Sequence, residues 1–145
     1  MKTMTGIFGT EAPLTSDLNL LLQLVILVLL IVGFKFGKQK TGKSLKRHGK
    51  IMSIVVVLGI VSFVVVMAPS FANYFSSPQS ELSLIGILST LLHALLGSLA
   101  GFLGIAFAFN KKPKKIRLWM RLSMLFWIIA LILGFSLYLQ IAAII

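Results

Sequence analysis

The chain has no cysteine and only three acidic residues, Glu11, Asp17 and Glu81, among its 145. The first absence excludes disulfides, thiolate metal sites, CxxCH haem attachment and cysteine nucleophiles. The second leaves no carboxylate pair for general acid and base work, and no HExxH or GxSxG is present, so hydrolysis and group transfer have no candidate machinery and no catalytic residue is assigned. The stretch GKQKTGKS at 37–44 resembles a phosphate loop only superficially, because no strand precedes it. Charge is scarce as well: 12% of residues are charged and 58% are hydrophobic, against about 25% and about 45–50% in a soluble domain. Too little polar surface exists to cover a compact globule in water. The formal charge of +11 does not point to nucleic acid, because the basic residues lie between long apolar runs rather than on a hydrophilic fold.

Those runs define the fold class. A helix needs roughly 20 apolar residues to cross about 30 Å of hydrocarbon, and four segments qualify, at about 17–34, 50–68, 82–109 and 122–141. The expectation is an all-α integral membrane four-helix bundle in a single domain, with the lipid bilayer as its first partner. None of the four carries an acid or a base in its central stretch, as the cost of a buried charge requires. Lys35, Lys38, Lys40, Lys43, Lys46, Arg47 and Lys50 lie between the first two spans, and Lys111, Lys112, Lys114, Lys115, Arg117 and Arg121 between the last two. Only Lys2 falls elsewhere, and the three acids fall on the opposite side. The positive-inside rule then predicts a multi-pass protein of the cell membrane with both basic loops cytoplasmic and both termini outside. The first span lacks the basic flank and cleavage site of a signal peptide and is expected to stay in the mature protein.

Local punctuation agrees. Ser16 or Asp17 is expected to cap the first span, Pro69 to close the second, Ser77 and Pro78 to open the third, and Pro113 to separate the third from the fourth. The outer segment PSFANYFSSPQS carries Phe71, Tyr74 and Phe75, and the last span ends near Tyr138. Such residues suit the membrane interface.

One face of the third span is unusual. Gly86, Thr90, His93, Gly97, Gly101, Gly104 and Ala108 recur at steps of 4, 3, 4, 4, 3 and 4, close to the helical repeat. Apart from one imidazole this face is made of small side chains. Two readings fit it: helix packing through a GxxxG pair, Gly97 and Gly101, or a groove for a haem or quinone centred on His93. His93 sits mid-span, where an ionisable group is either a functional ligand or a neutral ring bonded to a polar neighbour. Asn19 and Gln23 lie at compatible depth to supply that bond. His48, at the start of the second span, shares a face with Met52. One haem held between His48 and His93 fails on depth, because His93 lies sixteen residues from Phe109, about 24 Å along the helix. A second ligand to a haem on His93 would have to come from another copy of the chain, a partner subunit or the substrate itself. Arg47, Arg117 and Arg121, with His48, form a candidate site for a lipid headgroup or other anion at the inner surface; the plainer reading is topology alone. Multidrug exporters of four spans use an acid inside the membrane, which this chain lacks.

Taken together, DLNLLLQ on the first span, HGKIM and VMAPSF bounding the second, HALLGSLAG on the third and RLWMRLSMLFWIIALILGFSLYL on the fourth resemble the domain of unknown function 420 family. These are small four-span proteins of archaea and bacteria that include the CtaM/YozB type. The similarity covers about residues 17–140, and the long basic loops and short termini look like an archaeal branch. The resemblance implies equivalence of His48, Met52, His93, Trp127 and Tyr138 with recurring residues of that family, and a role in maturation or function of a haem-copper oxidase. The expectation is a non-catalytic accessory or assembly factor of a respiratory or other membrane redox complex, with no cofactor assigned and haem as the candidate. The alternatives are a structural subunit docking through its glycine face, and a dimeric channel or transporter for small solutes.

Overall fold

A computed structural model describes residues 6–10, 12–76, 84–109 and 114–142. Five helices follow in order: α1 (Leu14–Lys38), α2 (Gly42–Ser62), α3 (Ala68–Ser76), α4 (Leu84–Ala108) and α5 (Ile116–Ile141). A π-helical turn, Phe63–Met67, joins α2 to α3 without a break. Four stretches are long and apolar enough to cross a membrane: α1, the continuous 35-residue helix Gly42–Ser76, α4 and α5. No strand occurs among the described residues. Residues such as Val57, Val65, Leu88, Phe102 and Ile132 stand exposed along these helices. Apolar surface on this scale is stable in lipid, where each helix satisfies its own backbone. The chain is a small multi-pass membrane protein with an all-α, four-helix-bundle fold.

The helix ends depart from expectation in ways that have physical causes. α1 starts after an extended Pro13 with no side-chain cap, so neither Ser16 nor Asp17 caps it. The first basic loop shrinks to a turn at 39–41, in which Lys40 takes φ 54°. Its other basic residues lie on the ends of α1 and α2. Thr41 then opens α2 through a capping box: its hydroxyl accepts from the Ser44 N–H at 3.2 Å, and the Ser44 hydroxyl accepts from the Thr41 N–H at 3.1 Å. This pairing satisfies two backbone donors that the helix leaves open. Pro69 does not end the second span. It has no N–H, and its ring crowds the carbonyl four residues back; the turn before it widens to a π turn, with the Ala68 N–H reaching the carbonyl of Phe63. The helix then runs on to Ser76, so the first part of PSFANYFSSPQS is helical. Glu11, Ser77, Pro78, Glu81, Lys111, Lys112 and Pro113 lie outside the described residues.

α1 with α2, and α4 with α5, form two antiparallel hairpins; α2 also packs on α4 and α1 on α5, closing a ring. Register is visible in the glycines. Gly33 lies against Met52 and Gly37 against His48, while Gly97 lies against Ala130 and Gly134 against His93. In each hairpin a step of four residues up one helix is matched by four down the other, as antiparallel helices in contact require. Between the hairpins, Trp127 of α5 crosses to Gly59 of α2, where an added Cβ would come within 2.9 Å of the indole. Trp127 packs with Leu22, Leu29, Met52 and Leu58 around the buried Ile26, Leu30 and Val55.

Candidate functional site

The two histidines are held by the same device in different hairpins. On α4, His93 Nδ1 lies 2.7 Å from the carbonyl oxygen of Ala130 on α5. On α2, His48 Nδ1 lies 2.7 Å from the carbonyl oxygen of Gly33 on α1. A carbonyl only accepts, so in each ring Nδ1 carries the proton and donates it, and in the neutral ring Nε2 keeps a lone pair. In both cases a glycine sits four residues beyond the acceptor. An added Cβ at Gly134 would stand 2.8 Å from His93 Cε1, and one at Gly37 would stand 3.1 Å from His48 Nδ1. The glycine therefore makes the room in which the ring lies flat against the opposite helix.

This corrects the expected partners of His93. Asn19 and Gln23 bond instead to Ser62 of α2: the Gln23 amide donates to the Ser62 hydroxyl at 2.8 Å, and that hydroxyl donates to Asn19 Oδ1 at 2.6 Å. Ser62 is buried, and it fastens α1 to α2 just before the π turn. No hydrogen bond reaches Nε2 of either histidine among the described residues, and no enclosed side-chain nitrogen or oxygen lacks a partner there. These nitrogens are not sealed into the core.

The glycine face of α4 divides into three parts. Gly97 meets Ala130 Cβ at 4.0 Å, Gly104 would meet Val56 of α2 at 3.0 Å, and an added Cβ at Gly101 would meet nothing within 4 Å. The open part lies two helical turns from His93. Met52 packs against Gly33 one turn from His48, in the seam between α1 and α2. His48 and His93 belong to separate hairpins, and no group of three or more His, Cys, Asp or Glu is placed to hold a metal among the described residues. A shallow depression of about 300 Å³, lined by Lys50, Ser53, Ile54, Val57 and Leu58, lies on the side of α2 opposite His48 and Met52.

At the basic end, Arg47 stacks over Phe36 with its guanidinium carbon 5.7 Å from the ring centroid, and Lys38 Nζ lies 4.6 Å from that of Phe34. Arg117 and Arg121 are exposed near the start of α5. Cations at the N-terminal ends of α2 and α5 oppose the helix dipole, which costs about 0.3–1 kcal/mol each when exposed. Helix stability is not what places them there. GKQKTGKS has the spacing of a phosphate loop, but Gly37 is inside α1 against His48 and Thr41 to Ser44 close a capping box. The segment is a helix–turn–helix connection.

At the other end lies a pair that sequence reasoning missed. Asp17 is fully buried, accepting from the Tyr138 hydroxyl at 2.7 Å and from the Phe8 N–H at 3.3 Å. Tyr138 is thus buried rather than presented to the membrane interface. The segment before α1 folds over the pair: Ala12 packs with Tyr138 and Ala142, and Gly6 lies so close to the Asp17 carboxylate that no side chain fits. The available signal was the lone acid of the first span and the lone tyrosine of the last, both near the outer end.

No family model, curated protein or solved structure matches the chain. The likeness to the domain of unknown function 420 family rests on the quoted motifs alone.

Proposed function

We propose that this protein is a non-catalytic accessory or assembly subunit of a membrane redox complex of the haem-copper oxidase type, and that His93 offers Nε2 to a haem iron. The observation that carries this reading is the 2.7 Å bond from His93 Nδ1 to the Ala130 carbonyl. Histidines that ligate metals nearly always donate their other ring N–H to a carbonyl or carboxylate, which fixes the tautomer and raises ligand basicity. The open surface at Gly101 leaves a strip of helix that a flat macrocycle can approach. The chain offers one axial ligand at this depth, so the second comes from a partner subunit or another copy. The family resemblance supports the same role. The clustering of bases at one end supports an orientation with that end cytoplasmic, where Arg47, Arg117 and Arg121 meet anionic headgroups.

Haem titration of the purified protein in mild detergent tests this. The expected result is a Soret band that shifts on reduction and is lost in His93→Ala but kept in His48→Ala. A spectrum of free haem in the wild type, or a Soret band indifferent to His93→Ala, refutes the haem reading. A structural subunit without haem is the second reading, favoured by the open space at Gly101, where an added Cβ would meet nothing within 4 Å among the described residues. It predicts that Gly101→Leu abolishes co-purification of partner subunits while His93→Ala does not.

A further inference from the structure

We infer that α3 is an interfacial anchor, whose aromatic face binds the boundary between headgroups and acyl chains of the outer leaflet. From Lys50, the last charge of the second span, to Met67 is seventeen residues, about 26 Å of helix. That nearly matches the hydrocarbon core of about 30 Å, so α3 begins where the core ends. No charged residue occurs between Ile51 and Ser76, and the helix passes from purely apolar residues into a two-sided segment at this level. Phe71, Tyr74 and Phe75 share one face; Asn73 and Ser76 lie on the other.

The packing supports a lipid occupant. α3 makes its contacts with the π turn that precedes it and does not join the ring of bundle helices. Its aromatics pack on one another, with ring centroids 4.8 Å apart for Phe71 and Phe75 and 5.1 Å for Tyr74 and Phe75. Phe71 and Phe75 remain 39% and 44% exposed. Aromatic rings with an apolar body, one with a hydroxyl, are what the interface selects. The junction has a matching requirement. Pro69 donates no hydrogen bond, and a backbone carbonyl released by it is costly in hydrocarbon but not where water reaches.

The chain's lack of cysteine permits a direct test. Single spin labels at Phe71→Cys, Phe75→Cys, Asn73→Cys and Ser76→Cys, with Val57→Cys as a lipid-facing reference, are placed in the full protein in phospholipid vesicles. Collisions with oxygen and with a water-soluble nickel chelate are then measured. The proposal expects an oxygen-to-nickel ratio several-fold higher at 71 and 75 than at 73 and 76, with 71 and 75 shallower than 57. Equal ratios at all four α3 sites would show that the helix is not inserted on its aromatic side and overturn it. Protection of 71 and 75 from both reagents would show a protein partner on this face and overturn it equally. A variant that loses the wild-type circular dichroism is replaced by its neighbour on the same face, since each face supplies two sites.

Discussion

The sign of a Gly→Ala change should differ between two glycines of the same hairpin, because only one of them makes room for a histidine. An alanine in a helix interior is favoured over glycine by about 0.5–1 kcal/mol when nothing obstructs it. At Gly101 a new Cβ meets nothing within 4 Å, so Gly101→Ala should stabilise by that amount. At Gly134 the Cβ would stand 2.8 Å from His93 Cε1 and 3.2 Å from Nδ1, where carbon contacts are optimal at about 3.5–4.0 Å. The ring must retreat by about 0.7 Å, which takes Nδ1 beyond hydrogen-bonding range of Ala130. Overpacking of this kind costs about 1–3 kcal/mol, and the lost bond about 0.5–1.5 kcal/mol. The two costs overlap, since one displacement causes both. Set against the helix gain, Gly134→Ala should destabilise by about 1–3 kcal/mol. Reversible unfolding in mixed micelles with increasing SDS, followed by circular dichroism, measures both variants. The decisive arm is the double-mutant cycle. With His93→Ala in place the obstruction is gone, and adding Gly134→Ala should become stabilising. If Gly134→Ala stabilises the wild-type protein, or costs the same with and without His93, the ring does not occupy the place assigned to it.

Two further outcomes follow from the polar contacts and the charge distribution. Tyr138→Phe removes the shorter of the two bonds to the buried Asp17 and should cost about 1–3 kcal/mol in the same unfolding assay; Asp17→Leu combined with Tyr138→Phe should recover only part of it, since no carboxylate is then left short of a donor but the Phe8 N–H loses its acceptor. In oriented vesicles or whole cells, a membrane-impermeant thiol reagent should label Phe8→Cys from outside and Lys40→Cys only after permeabilisation; the reverse pattern would refute the orientation drawn from the basic residues.

Much of the fold was legible because a bilayer reduces the problem to length and charge. Four apolar runs and the gathering of bases at two connections define four crossings without any knowledge of side-chain contacts. Ends were read less well, for reasons particular to each. Lys43, Lys46, Arg47 and Lys50 look like a loop because charges are unwelcome in hydrocarbon, yet nothing prevents a helix from continuing past the membrane surface, and the Thr41 and Ser44 capping box starts α2 there. Pro69 looks like a stop because proline disrupts an α-helix, but a π turn absorbs the disruption one turn earlier.

The site was harder to read because its second half is backbone. The stripe on α4 pointed to His93, and mid-membrane polar residues were the natural candidates to satisfy it. Asn19, Gln23 and Ser62 satisfy one another, and the ring turns to a carbonyl, a group every residue possesses and no sequence marks. What sequence does mark is the space the ring needs. In an antiparallel hairpin the residue facing a histidine is set by the turn, and in both hairpins that residue is glycine, Gly37 opposite His48 and Gly134 opposite His93. Tilting a helix carbonyl toward a ring on a neighbouring helix demands close approach, and only glycine one turn further on permits it. The pairing of a membrane histidine with a register-matched glycine is therefore a readable sign of an Nδ1-tethered ring whose Nε2 is left to act. On that reasoning His48 carries the same preparation as His93 at the cytoplasmic end proposed above, and what separates their roles is depth: the Nε2 of His93 sits at mid-span, where a haem iron or a quinone hydroxyl can meet its lone pair, and that of His48 sits among lysines and arginines, where it can accept a hydrogen bond from a headgroup or water while the cationic side chains, not the ring, meet anions.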